Sequence, residues 1–150
     1  MKRAVVLGLC LLGAVWLRAF DVQYGSLFKI TGIGLEKGRL VLPLSRGKYA
    51  NVRVLDKSTF DLLKTCAPAC KQESAAGEVR LQEVRAAKTR PGMWIADVAV
   101  DGKWLLTFLV FQQKDGFSFI VPQDVVVQDE AWLTRVKTQL QAHILAEKKG

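Results

Sequence analysis

The chain is short of the residues from which most protein chemistry is built. Its 150 residues hold one histidine, His143, and three cysteines, Cys10, Cys66 and Cys70. Cleavage of the N-terminal segment would remove Cys10, and a zinc site of four nitrogen or sulfur ligands is then excluded within one chain unless carboxylates join it. A Ser-His-Asp triad would have to use His143, and none of Ser26, Ser45, Ser58, Ser74 or Ser118 sits in a G-x-S-x-G elbow. The stretch Thr31-Gly32-Ile33-Gly34 lacks the spacing of a phosphate loop, and no helical pattern follows it. The sequence has no run of five or six like charges, no internal repeat and no low-complexity segment. Its lysines and arginines are scattered among acids such as Asp56 and Asp61, as on an ordinary solvated surface.

What is present begins with the N-terminus. Lys2 and Arg3 precede an apolar run from Ala4 to Leu17, and Ala19 offers a small residue before Phe20. That is the layout of a secretory signal peptide, and the run is shorter than the roughly 20 apolar residues that span a bilayer. Cys10 lies inside the run rather than at its end, which argues against a lipidated cysteine. The expected organisation is a signal peptide over residues 1–19 and one globular domain over 20–150, with no integral membrane segment after cleavage. Loss of Lys2, Arg3 and Arg18 lowers the formal net charge from +8 to about +5. The expected location is export to the periplasm or the outside, where nucleic acid is a poor partner. The segment Lys37 to Lys57 is the most basic and could form a patch for an anionic partner.

Hydrophobic periodicity then outlines the domain. Residues 27–44 read as strand, turn and strand around Glu36-Lys37-Gly38, and Asn51 to Leu55 as a short strand. Ser58 with Asp61 resembles a helix cap, with Phe60 and Leu63 on one face and Pro68 ending the helix near Cys66. Gln72 to Glu78 reads as a surface loop. Val79 to Ala87 alternates as a strand, with Val79, Leu81 and Glu83 on one side and Arg80, Gln82 and Val84 on the other. Asp101-Gly102 and Lys114-Asp115-Gly116 divide Trp94 to Val121 into a three-stranded meander. Its middle strand, WLLTFLVF over 104–111, is apolar on both faces except at Thr107, which predicts a cover on each side. Gln128 to Glu147 is an amphipathic helix with Trp132 or Leu133, Val136, Leu140 and Ile144 on its apolar stripe. The fold class is α+β: an antiparallel sheet of about six or seven strands, packed by the long C-terminal helix, with one short internal helix. A small barrel capped by the C-terminal helix is the alternative.

Two groups of residues could carry function. Cys66 and Cys70 are four apart at the predicted end of the short helix. In an exported chain such a pair usually oxidises, and Pro68 breaks the helix between them so that the sulfurs can meet. Five residues close a small ring, so the stabilisation is about 2 kcal/mol. A thiol-redox couple and a soft-metal grip for Cu(I) are the alternatives. The second group is a possible ligand groove on the meander: Trp94, Asp97, Trp104, Phe108, Phe111, Phe117 and Phe119. Six are aromatic, and Asp97 interrupts an otherwise apolar strand, either as a solvated position or as a polar group in a pocket. No catalytic set, metal site or cofactor motif assembles from the sequence. The expectation is an exported, non-enzymatic binding or accessory protein whose aromatic-rich sheet takes an apolar ligand or a protein partner. The alternatives are a redox or copper-handling protein acting through Cys66 and Cys70, and a weakly supported hydrolase using His143 or Asp97.

Overall fold

A computed structural model describes residues 19–44, 48–73 and 76–150. The signal segment expected over 1–19 thus lies outside the described residues except at Ala19. Among the described residues, ten strands and two helices follow in chain order. They are β1 (Phe20–Tyr24), β2 (Phe28–Glu36), β3 (Arg39–Val41), β4 (Val52–Val54), α1 (Lys57–Cys66), β5 (Ala69–Gln72), β6 (Val79–Ala86), β7 (Met93–Val100), β8 (Trp104–Gln113), β9 (Gly116–Ile120), β10 (Val125–Val127) and α2 (Glu130–Lys148).

The class is α+β as expected, but the strands form two five-stranded sheets rather than one sheet or a closed barrel. The first runs β10-β2-β1-β5, with β3 also on β2. It is mixed, because β5 lies parallel to β1 through Asp21↔Ala69 to Tyr24↔Gln72. Parallel neighbours need a long crossover, and the chain from β2 through α1 supplies it. The second sheet runs β4-β8-β7-β6, with β9 on β8. β4 pairs with Trp104–Leu106 and β9 with Leu109–Gln113, so the two share one edge of β8 end to end. β7 occupies the other edge along its whole length. The strands β1, β5 and β10, five residues or fewer each, were not predicted. They are held by the pairing partner more than by their own pattern.

Local chemistry explains the boundaries. Asp101 and Gly102 both take positive φ, 53° and 66°, as the mirror-image type I hairpin requires. Asp129 caps α2, its carboxylate accepting from the Trp132 N–H at 3.0 Å. α1 starts earlier than expected. Asp56 is its N-cap residue and Ser58 lies inside the first turn, its hydroxyl donating to the Asp56 carboxylate. The face of α1 that turns inward carries Thr59 and Leu63, whereas Phe60 is exposed beneath the Lys64 ammonium. In β6 the register shifts between Leu81 and Glu83, leaving Gln82 as an extra residue. This bulge moves Val84 to the core side with Val79 and Leu81, correcting the strict alternation read from the sequence.

One buried cluster takes side chains from both sheets and both helices. It includes Val22, Tyr24, Phe28 and Ile30 from the first sheet and Trp104, Leu106 and Phe108 from the second. Leu63 joins from α1, and Trp132, Val136, Leu140 and Ile144 from α2. Hydrogen bonds tie the layers together inside this apolar space and at its rim. The Trp104 indole N–H donates to Gln72 Oε1 at 2.7 Å, and Gln72 Nε2 donates to Thr59 Oγ1 at 3.1 Å. Gln72 is therefore a buried strand residue, not part of a surface loop. The Asp101 carboxylate accepts three more: from Tyr24 OH at 2.5 Å, Gly77 N–H at 3.0 Å and Glu78 N–H at 2.7 Å. Gly77 is buried as well. Its φ of +74° and the Trp132 ring, 3.0 Å from where a Cβ would stand, both require glycine.

Burial, together with the Asp101 hydrogen bond and negative charge, and the charge of Asp56, pushes the Tyr24 hydroxyl well above the ordinary tyrosine range near 10. The folded protein then keeps a proton that the unfolded chain releases. This contribution is complete below about pH 10 and is lost as pH rises above it. The urea midpoint should therefore fall between about pH 10 and pH 11.5, more steeply in the native protein than in Tyr24→Phe. Equal slopes in the two proteins would refute the role given to Tyr24.

Candidate functional site

β7 and β8 present apolar side chains on both faces, and the chain covers one of them. On the inward face Trp94, Ala96, Val98 and Val100 alternate with their β8 partners Trp104, Leu106, Phe108 and Val110, all within the core. The first sheet and both helices contribute to that same core. On the outward face lie Ile95, Asp97 and Ala99 of β7 and Leu105, Thr107, Leu109 and Phe111 of β8. None of these belongs to the core cluster or packs against it. The sequence predicted a cover on each side of β8; on the outward side Asp97, Ala99 and Leu105 are buried, while Ile95, Leu109 and Phe111 are half-buried and no described element packs them into the core.

The cross-strand register gives the outward face its pattern. One row reads Arg53, Leu105, Ala99, Arg80 across β4, β8, β7 and β6. The next reads Thr107, Asp97, Glu83. The third reads Ile120, Leu109, Ile95, Arg85 from β9 to β6. Phe111 follows beyond Leu109, with the Arg90 guanidinium 5.3 Å from its ring centre. Leu105 and Ala99 are buried between the arginines of their row. Ile95, Leu109 and Phe111 are half-buried, and Ile120 is 49% exposed. An open groove of about 540 Å³ continues this face at the Asp101-Gly102 turn, lined by Leu55, Glu78, Arg80, Ala99 and Asp101 among others.

Asp97 is the polar centre of the face. Its Oδ1 accepts from Thr107 Oγ1 at 2.7 Å, and its Oδ2 lies 3.6 Å from Arg85. Arg85 also reaches Glu83 at 3.2 Å. Among the described residues, Arg53, Arg80 and Arg90 have no carboxylate within 4 Å.

The structure divides the seven groove residues between two sides of the sheet. Trp104 and Phe108 are fully buried, and Trp94 nearly so. Phe117 and Phe119, half-buried on β9, pack against the core near α2, with Lys148 6.0 Å from the first ring and Lys137 5.8 Å from the second. Only Asp97 and Phe111 reach the outward face. Sequence reasoning missed Ile95, Leu105, Leu109 and Ile120 there because it followed aromatics, while the outward apolar residues are aliphatic apart from Phe111. In the sequence, period-2 alternation separates Leu105, Leu109 and Phe111 from Trp104 and Phe108 but does not say which set is covered.

Cys66 and Cys70 form a disulfide, with Cα atoms 5.0 Å apart. It joins the last residue of α1 to the second of β5. Cys70 is buried against the core and Cys66 is half-buried. The bond fixes the crossover at the strand that carries Gln72. His143 stands on α2, on the other side of the second sheet from Asp97, with its Nε2 3.0 Å from Glu147 Oε1. The two candidate catalytic groups therefore do not meet. Among the described residues, no three His, Cys, Asp or Glu side chains come together as a metal site. No described helix is long and apolar enough to cross a membrane.

Two sets of variants check this division. Phe108→Ala removes a fully buried ring and should cost about 3–5 kcal/mol, whereas Leu109→Ala on the outward face should cost about 1 kcal/mol, read by urea unfolding. Similar costs would mean that the outward face is packed like the core. Cys66→Ser/Cys70→Ser should lose about 2 kcal/mol and still fold cooperatively. Loss of the cooperative transition would show that the bond holds more than the end of α1.

Compared with known proteins, the chain matches no protein-family model, no curated protein and no solved structure.

Proposed function

We propose that this protein is an exported, non-enzymatic binding or accessory protein that engages a protein partner through the outward face of β7, β8 and β9. One observation carries the reading. Ile95, Leu109, Phe111 and Ile120 form an apolar strip that no described element of the chain covers. A contiguous apolar patch rimmed by polar residues is what interaction surfaces present. Export is supported by the positive start, apolar run and Ala19 of the N-terminal segment. The disulfide fits an oxidising compartment. The separation of His143 from Asp97 leaves the hydrolase reading without a paired acid and base.

The test is site-specific photo-crosslinking in cells that make the protein. A crosslinking residue at position 109 or 95 should give one discrete adduct, and the same residue at the exposed position Gln139 of α2 should give none. Adducts that are equally diffuse at all three positions would contradict the reading.

A further inference from the structure

The charge around the strip narrows the partner. Each apolar row meets an arginine: Arg53 and Arg80 flank Leu105 and Ala99, Arg85 stands beside Ile95, and Arg90 covers Phe111. Arg85 is held by Glu83 and Asp97. The other three guanidiniums have no carboxylate within 4 Å among the described residues, and all three are exposed. Arginine offers a rigid fork of donors that matches carboxylates bidentately. An apolar centre with unpaired arginines at its margin is complementary to an apolar surface edged with carboxylates.

Shape decides between the surfaces that meet this description. The strip Ile120–Leu109–Ile95 crosses three neighbouring strands, a width of roughly 10 Å at about 4.8 Å per strand. That is about the diameter of an α-helix with its side chains. The strip lies on a sheet face and not along an edge, so it binds through side chains rather than by adding a strand. An anionic bilayer fits less well. Asp97 and Thr107 stand in the middle of the face with Glu83 exposed in the same row, and lipid would desolvate the Glu83 carboxylate, which a protein partner can supply with donors.

Resting on the function proposed above, we infer that the partner segment is an amphipathic α-helix whose apolar stripe is flanked by glutamates or aspartates. It lies over Ile120, Leu109 and Ile95, with its acids toward Arg53, Arg80 and Arg90.

The experiment uses the purified protein and two labelled model helices with the same leucine stripe, one flanked by glutamates and one by lysines. Binding is followed by fluorescence anisotropy at low and high salt, beside sedimentation with phosphatidylglycerol/phosphatidylcholine vesicles. The glutamate helix should bind and the lysine helix should bind at least about tenfold more weakly. Raising salt should weaken the glutamate helix. Arg53→Glu/Arg80→Glu/Arg90→Glu should weaken it about tenfold and bring the two helices closer together, with the variant still unfolding in one cooperative thermal transition. Equal binding of both helices, abolished by Leu109→Asp, would overturn the acidic class while leaving the outward face as the binding surface. Binding of neither helix, or binding that Leu109→Asp leaves intact, would overturn the helix proposal; the crosslinking test then decides the fate of the face itself. Sedimentation with the vesicles without helix binding would assign the face to lipid and overturn it as well.

Discussion

The structure depends on two apolar sheets being held face to face by a few hydrogen bonds within the shared core and at its rim. The Asp101 carboxylate is the principal one. It sits at the hairpin between β7 and β8, takes the Tyr24 hydroxyl from the first sheet and receives two N–H groups from the segment before β6. The Trp104–Gln72–Thr59 chain does the same on the α1 side. Hydrophobic burial favours any stacking of these sheets. The buried donors and acceptors permit only the one in which each finds its partner, because an unpaired buried polar group costs about 1–3 kcal/mol. Gly77 belongs to this joint. Its missing side chain lets Trp132 approach, and its carbonyl accepts from the Trp132 indole at 3.2 Å.

Once the sheets are fixed in this way, the fate of each aromatic follows. Trp104, Phe108 and Trp132 are consumed by the core, and Phe117 and Phe119 by the contact of β9 with the α2 side. α2 fills the space on the inward face, so nothing described remains to cover the outward one. Leu105 and Ala99 are buried there between arginines of the same row, and Ile95, Leu109 and Phe111 stay half-buried. The result is a molecule with a closed interior on one side of its second sheet and an apolar strip, edged by positive charge, on the other.

Much of this was legible in the sequence where the signal is local. The Asp101-Gly102 hairpin, the strand running through WLLTFLVF and the α2 stripe from Trp132 to Ile144 all stand as expected, because turn chemistry and periodicity depend on neighbouring residues. What depends on distant partners was not legible. The short strands β1, β5 and β10 exist because neighbours pair with them, and Gln72 reads as loop chemistry because its role as acceptor for the Trp104 indole depends on a residue 32 positions away. Alternation told the two faces of β8 apart, but choosing the covered one requires knowing where the first sheet lies. A search guided by aromatics therefore pointed to the core, and Asp97 and Phe111 alone of that set reach the candidate surface.

The most direct measurement is carbene footprinting of side chains in two samples, the purified protein and a native extract of cells that make it. The purified protein should be labelled at Leu109, Phe111 and Ile120 and spared at Trp104 and Phe108. In the extract the outward residues should be protected and the rest of the pattern unchanged. Sparing of Leu109 and Phe111 in the purified protein, or their equal labelling in both samples, would contradict the view that the second sheet keeps one apolar face for a partner.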